Sequence, residues 1–430
     1  MPEAIISSYV FLSDLHLASG FDPVRGSYSP QENFFYDKQF ARFLKFIQRQ
    51  AQEEGQVLHL VLLGDIFDFL RASSPSHPQH QYSLDASAAT AVEKIEQIAA
   101  GHSVFFEALG CLLEAGFHVE LMPGNHDIEM TLAAVQEKIR ELVKRYGHCS
   151  DEAAVSIQFH PWIYYVPGVF YAEHGQQQHW INSFPDLPEL INQDTQGRIR
   201  PPVGSHFEIY LQALRNTNGK PEDEHISSLR SLILEAVKHP TFLLRTGGAQ
   251  LRFLAAMLNS VFRSSTPLEN ARRKSALQKI LPALSSQAGL SSQTLTALAK
   301  QWRTFDLTQL LARLSKQMGK RTTGKASNYL YQSAITIHEL LMYMNEQVPY
   351  YVFGHTHQPA MRPLASATPA AYYVNGGSWT GEYDSVPQPS LEQNLFRYIF
   401  ITAQPGSGHV QASILAWNDS TGLSEPIFTH

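Results

Sequence analysis

Pro123-Gly124-Asn125-His126-Asp127 follows the apolar run Phe117-His118-Val119-Glu120-Leu121-Met122. The alternation and the β-branched valine predict a short strand, which Pro-Gly ends. Next come an amide, an imidazole and a carboxylate in consecutive positions at a strand's end. Oxygen and nitrogen donors placed there suit a hard or borderline metal ion. Alone, the same letters describe an ordinary turn, because Asn and Asp are common turn formers. Four other stretches decide between the two.

Ile5 to Leu12 predicts a buried strand that delivers Ser13-Asp14-Leu15-His16. Residues two apart in an extended segment point the same way, so Asp14 and His16 are expected to face one point. Val57 to Leu63 is nearly all apolar, as in a sheet covered on both faces, and it ends in Gly64-Asp65-Ile66-Phe67-Asp68. Gly168 to Ala172 predicts a strand running into Glu173-His174-Gly175, and Val348 to Phe353 one running into Gly354-His355-Thr356-His357. His355 and His357 are spaced as Asp14 and His16 are.

Between these strands lie helical periods. Tyr36, Phe40, Phe43, Leu44 and Ile47 mark an amphipathic helix. Further helices are expected over Ala89 to Ala115, Ile128 to Tyr146 and Tyr329 to Asn345. Val155 to Phe159 alternates, Ala371 to Val374 predicts a strand ending in Asn375, and Phe396 to Thr402 and Val410 to Trp417 predict closing antiparallel strands. Strand and helix in alternation, with polar clusters at strand ends, is the α/β pattern, whose ligands sit at the carboxyl edge of the sheet. Arg71 to Asp85 reads as a loop beside that edge, in lid position, with His77 and His80 as exposed loop residues. Gln176 to Asn182 is a polar loop placed to line a substrate pocket.

From about Pro201 to Lys325 strand patterns vanish and helical ones take over, so this segment is expected to be a helical domain inserted into the α/β domain. Within it, Ala249 to Arg263 puts Leu251, Leu254, Leu258 and Val261 on one face. That stripe reads first as core, and second as a surface for a membrane or a lipid-like substrate. Gly319 to Lys325 nearly matches a phosphate-cradling loop, but Ala326 stands where Ser or Thr is needed and no strand precedes it.

The 430 residues carry a net charge of −6 with 43% apolar content, a soluble chain with no basic excess to favour a nucleic-acid partner. Two cysteines without zinc or disulfide spacing fit a reducing, cytoplasmic setting. No run reaches the ~18 uninterrupted apolar residues of a membrane span, and no secretory leader is evident.

Taken in order, Asp14-x-His16, Gly64-Asp65-x-x-Asp68, Gly124-Asn125-His126-Asp127, the lone His174 and Gly354-His355-x-His357 resemble the calcineurin-like metallophosphoesterase superfamily. The resemblance spans residues 14 to 357 apart from the helical insertion. It implies a four-layer αββα sandwich of two mixed sheets, with residues 1–200 and 326–430 catalytic and 201–325 inserted as a cap. It also implies two divalent metal ions: Asp14, His16 and His357 on one, Asn125, His174 and His355 on the other, Asp65 bridging. The implied reaction is hydrolysis of a small phosphoester by a hydroxide shared between the ions. His126 would serve the leaving group, with Asp127 orienting it and Asp68 as support behind the ligands. Mixed nitrogen and oxygen donors suit Mn, Fe, Zn or Ni, with Mn the family's common metal. Three other readings stand beside this one: a non-catalytic scaffold of the same fold, a lipid-pyrophosphate hydrolase capped by the insertion, and a metal-dependent hydrolase of C–N or C–O bonds.

Overall fold

The computed structural model describes residues 6–74, 87–193, 199–209, 255, 267–302, 329–365, 370–380, 395–404 and 409–429. The stretches 249–263 and 319–325, and most of the loop 71–85, lie outside these residues apart from Ala255 and Arg71 to Ser74.

Two sheets form the body. The larger has strands β1 (Ser7–Leu12), β4 (Val57–Leu63), β5 (His118–Met122) and β6 (Ile157–Phe159) running parallel. β12 (Leu395–Ala403), β13 (Val410–Asn418) and β14 (Leu423–Thr429) extend it antiparallel from β1, in the order β14-β13-β12-β1-β4-β5-β6. The smaller sheet has the order β10-β11-β9-β8-β7, from β7 (Tyr164–Val166), β8 (Phe170–Ala172), β9 (Tyr350–Phe353), β10 (Ala360–Pro363) and β11 (Tyr372–Asn375). Its central strands β8, β9 and β11 are parallel and its edges antiparallel. A short hairpin, β2 (Phe21–Asp22) with β3 (Ser27–Tyr28), stands apart.

The fully apolar strands have two faces to bury. Tyr9, Phe11, Val61, Leu63 and Met122 from the larger sheet meet Phe170, Ala172, Val352 and Val374 from the smaller one in an inter-sheet core. Val10, Leu12, Leu60, Leu62 and Leu121 face outward, among the residues that cluster with α1 (Asp37–Glu53), α2 (Ala88–Gly101), α3 (Ser103–Glu114) and α4 (Ala133–Gly147). On the far side, α9 (Tyr329–Tyr343) contributes Leu330, Ala334, Ile337 and Leu341 to the core that holds Tyr351, Phe353 and Tyr373. This is the helix–sheet–sheet–helix order expected from the sequence.

Short helices α5 (Asp151–Ala154) and α6 (Leu187–Ile191) complete the first part of the chain. In the segment after residue 200, α7 (Pro267–Ala288) and α8 (Ser292–Ala299) are described. They pack on the body: Arg273 Nε lies 3.0 Å from Asp186 Oδ1, Trp162 and Trp302 meet edge to face, and Ile280, Leu284 and Leu295 join the shared core.

Several boundaries differ from the sequence reading. The helix expected over 89–115 is two helices that break at His102, whose Nδ1 lies 3.1 Å from both Asp37 carboxylate oxygens and whose Nε2 lies 3.2 Å from Glu32 Oε2. A ring anchored on both sides fixes the bend, which no local propensity announces. The helix expected from Ile128 begins with a 3-10 turn over Ile128–Thr131. A short helix over residues 151–154 leads into a turn at Val155 and Ser156, so β6 is shorter than the alternation suggests. β7, β10 and β14 escape the pattern because short or exposed edge strands carry little apolar periodicity.

His102 supplies a pH signature. Burial alone would lower its pKa, but Asp37 and Glu32 outweigh it and push it up to about 9 from 6.5. A raised value means the charged ring favours the folded state below pH ~6.5, and that this contribution is lost as pH rises through about 9. His102→Gln is therefore expected to destabilise by about 1–3 kcal/mol at pH 6 and by clearly less at pH 10, as measured by urea unfolding at both.

Candidate metal centre

The polar clusters converge past the carboxyl ends of the strands. β1 ends at Leu12, so Asp14 and His16 lie beyond it, and strand alternation is not what aims them. Both are in the left-handed region, with φ of 56° and 55°. Asp65, His355 and His357 share that conformation, so five of the eight non-glycine residues with positive φ among the described residues stand here. Such backbone is unfavourable for side chains with a Cβ and persists only where surrounding contacts impose it. Here they do: Asp14 N donates to Gly64 O at 3.1 Å, His16 N to Asp65 O at 2.9 Å, and His355 N to both Asp14 carboxylate oxygens at 3.0–3.1 Å.

Asp65 lies at the middle. Its Oδ2 is 3.2 Å from His174 Nε2 and 3.8 Å from His16 Nε2, while Oδ1 accepts from His126 N at 2.8 Å. On one side, His357 Nε2 lies 3.2 Å from Asp14 Oδ1 and 3.3 Å from His16 Nε2. On the other, the His174 and His355 rings are 5.2 Å apart. Asp14, His16 and His357 offer three donor atoms within 4.8 Å of one another, as do Asp65, His174 and His355, and as do His16, Asp65 and His126.

These residues fit divalent ions on evidence beyond proximity. Asn125 Oδ1 and His174 Nε2 are buried without a hydrogen-bond partner among the described residues, and an uncompensated buried acceptor is costly. His174 Nδ1 donates to Leu63 O at 2.8 Å, which fixes the ring and leaves Nε2 as the nitrogen facing Asp65. Space is reserved as well. A Cβ at Gly124 would lie 2.2 Å from Asp65 Oδ1, and one at Gly354 would lie 2.9 Å from Asp14 Oδ2.

The cluster's charge is set by its neighbours. Burial would raise Asp14, but the imidazole of His357 brings it down to about 2. Burial opposes a charged His174, yet Asp65 pushes it up to about 9. His126 goes up to about 10 against its burial because Asp68 and Asp65 face it. His355 is driven down by burial and by the neighbouring imidazoles of His174 and His179.

One expected role is corrected. Asp127 does not orient His126. Its carboxylate accepts from the backbone N–H groups of Gly124, Asp65, Ile66 and Phe67, at 2.5–3.2 Å. It holds the Asp65 loop instead. The carboxylate on His126 is Asp68, whose Oδ2 is 3.1 Å from His126 Nδ1 and 3.3 Å from His16 Nδ1. Consecutive residues look like partners in sequence, whereas the backbone turns Asp127 toward the Asp65 loop.

Within the polar loop 176–182, Gln176 and Gln177 are buried and hydrogen-bond to the carbonyls of Pro123 and Phe184. His179 Nδ1 and Asn182 Nδ2 reach the site, 3.1 and 3.3 Å from His355 Nε2. Asn375, at the end of β11, donates from Nδ2 to Gly354 O at 2.7 Å and so fixes the loop bearing His355 and His357. The only signal for it in sequence is an Asn at a strand end.

The model of the calcineurin-like phosphoesterase family matches residues 8–227. Among solved structures, calcineurin-like phosphoesterase YfkN from Bacillus subtilis aligns at 9% identity over 98% of this chain and 93% of that one, with a TM-score of 0.29. A putative 5'-nucleotidase from Staphylococcus aureus aligns at 9% identity and a TM-score of 0.26, covering 99% of this chain and 53% of that one. No curated protein sequence matches the chain. Among the described residues no helix is long and apolar enough to cross a membrane.

Asp65→Ala is expected to lose most bound metal after purification with manganese, and Gly124→Ala to lose a large part of it because its Cβ enters the space of Asp65 Oδ1. Metal per chain is read by plasma mass spectrometry, with circular dichroism as the check on folding.

Proposed function

The chain belongs to the calcineurin-like phosphoesterase family and is a hydrolase of phosphoester bonds, and from this premise we propose a two-metal hydrolase of a small phosphoester. The carrying observation is Asp65 Oδ2, which faces His16 on one side and His174 on the other, as a carboxylate shared by two ions would. Asp14, His16 and His357 would hold one ion and Asn125, His174 and His355 the second, with Asp65 common to both. The mixed nitrogen and oxygen donors suit Mn, Fe, Zn or Ni, and manganese is the proposed metal because it is the common one in the family. When bound, such a pair supplies Lewis-acid polarisation of the phosphoryl group and lowers the pKa of a water.

The chain's own residues supply the rest. His126 is the catalytic residue: with Nδ1 on Asp68, its other ring nitrogen would give a proton to the leaving oxygen. The charged form it needs is the form that Asp68 and Asp65 favour. Asp68 is a positioning residue for both His126 and His16. Asp127 keeps the Asp65 loop in register through four N–H groups. His179 and Asn182 hold the ring of His355.

The rival scaffold reading expects gaps in the donor set, and this set is continuous. The substrate proposed is a small phosphomonoester, diester or pyrophosphate, with a lipid-like pyrophosphate the second choice through the inserted segment. p-Nitrophenyl phosphate with manganese is the test: turnover that EDTA abolishes and manganese restores is expected, and no turnover with metal bound would leave the scaffold standing. His126→Ala should lower kcat about 10²–10⁴-fold while metal content stays, which separates proton donation from metal binding.

A further inference from the structure

Beside His126 lies a cation that neither the metals nor the chemistry above uses. Arg71 follows Asp68 by one turn. Its backbone N–H donates to Asp68 Oδ1 at 3.0 Å, and its Nε lies 3.3 Å from Asp68 Oδ2, the oxygen that also meets His126 Nδ1. The side chain is 13% exposed. Its Nη2 donates to Glu208 Oε1 at 2.6 Å. Among the described residues that is the guanidinium's one hydrogen bond, and the buried Nε makes none of good geometry. A guanidinium has five N–H donors, and burying it under-used is expensive.

Glu208 comes from elsewhere in the chain. It lies in the helical residues 203–209, outside the five loops that carry the candidate metal ligands. Its carboxylate is in electrostatic range of His126 as well as Arg71. An acidic group therefore already sits on the leaving-group side of the site, held by one bond. A phosphate has more charge and more acceptor oxygens than a carboxylate, and matches a guanidinium fork better.

We propose that Arg71 is the anion-recognition residue of this enzyme, and that Glu208 occupies the position of a phosphate carried on the leaving side of the substrate. The inference rests on the two-metal reading above and narrows it to pyrophosphate-type substrates, in which phosphoryl transfer to water releases a phosphorylated product. The water oxygen bonds to phosphorus, and the bridging P–O bond breaks with its electron pair staying on the leaving oxygen. The proton on His126 passes to that oxygen, and the proton lost by the water restores His126. Arg71 holds the leaving phosphate throughout. Glu208 can be displaced without moving a candidate metal ligand, so substrate binding exchanges one anion for another on a fixed cation.

The test compares manganese-loaded wild type, Arg71→Gln, Arg71→Lys and Glu208→Gln on ADP, inorganic pyrophosphate and p-nitrophenyl phosphate. Arg71→Gln is expected to lower kcat/KM for ADP and pyrophosphate at least tenfold more than for p-nitrophenyl phosphate, mostly through KM. Arg71→Lys should recover part of that difference, and Glu208→Gln should raise kcat/KM for ADP several-fold. A binding readout runs alongside: α,β-methylene-ADP as a competitive inhibitor of p-nitrophenyl phosphate hydrolysis should weaken at least tenfold in Arg71→Gln. Equal losses on all three substrates with unchanged inhibition would reduce Arg71 to a support for Asp68 and overturn the proposal. So would a wild type that turns over p-nitrophenyl phosphate but neither cleaves nor binds the diphosphates. Absence of p-nitrophenyl phosphate turnover in the wild type would instead overturn the two-metal reading itself.

Discussion

Asp65 is a carboxylate at 2% exposure, and everything around it serves to keep it charged and in place. Burial opposes its ionisation, and the imidazoles of His174, His126 and His16 more than reverse that, so the group stays well below the usual carboxylate range. Its backbone is fixed independently of those rings. Asp127 accepts from the N–H of Asp65 and of the two residues after it, and His126 N donates to Asp65 Oδ1. The second and third motifs thus clamp each other through main-chain donors. A carboxylate that had to be ordered on metal binding would lose affinity to side-chain entropy, whereas this one is preset.

The left-handed residues show what the sandwich is for. Asp14, His16, Asp65, His355 and His357 each adopt a conformation of order 1–3 kcal/mol above the alternatives. Short loops alone could not hold five of them. They follow strands whose residues fill the inter-sheet core on one face and meet helices on the other, so the loop bases cannot shift. Asn375 and Asp127 then tie loop to loop. Rigid sheets supply the stability, and the strand-end loops use it to aim donors inward.

This division explains what could be read in advance. The apolar strands and the polar residues at their ends are local patterns, and the seven donors expected to meet, Asp65 among them, were visible as letters. How they meet was not visible. The sequence suggests strand alternation for Asp14 and His16, and the chain uses two left-handed residues past the end of β1 instead. It suggests Asp127 for His126, and the partner is Asp68, some sixty residues away in sequence and beside it in space. The bend at His102 depends on Glu32 and Asp37, which no helical period registers. Each of these misses concerns a contact between residues far apart in sequence, to a backbone carbonyl or to a carboxylate, which pattern reading along one chain cannot supply.

Asp68 shows why such a carboxylate matters to function. One oxygen, Oδ2, faces His16, His126 and Arg71 at 3.1–3.3 Å. A candidate metal ligand, the proposed proton donor and the neighbouring guanidinium are therefore coupled through a single atom. Moving any one of them changes the field on the other two, and a carboxylate so engaged cannot follow a departing group. The geometry favours a site in which the substrate fits around fixed charges. Selectivity then has to come from the residues that can exchange partners, and on the described surface of this site Glu208 is such a residue, because its hold on Arg71 is one hydrogen bond from a separate part of the chain.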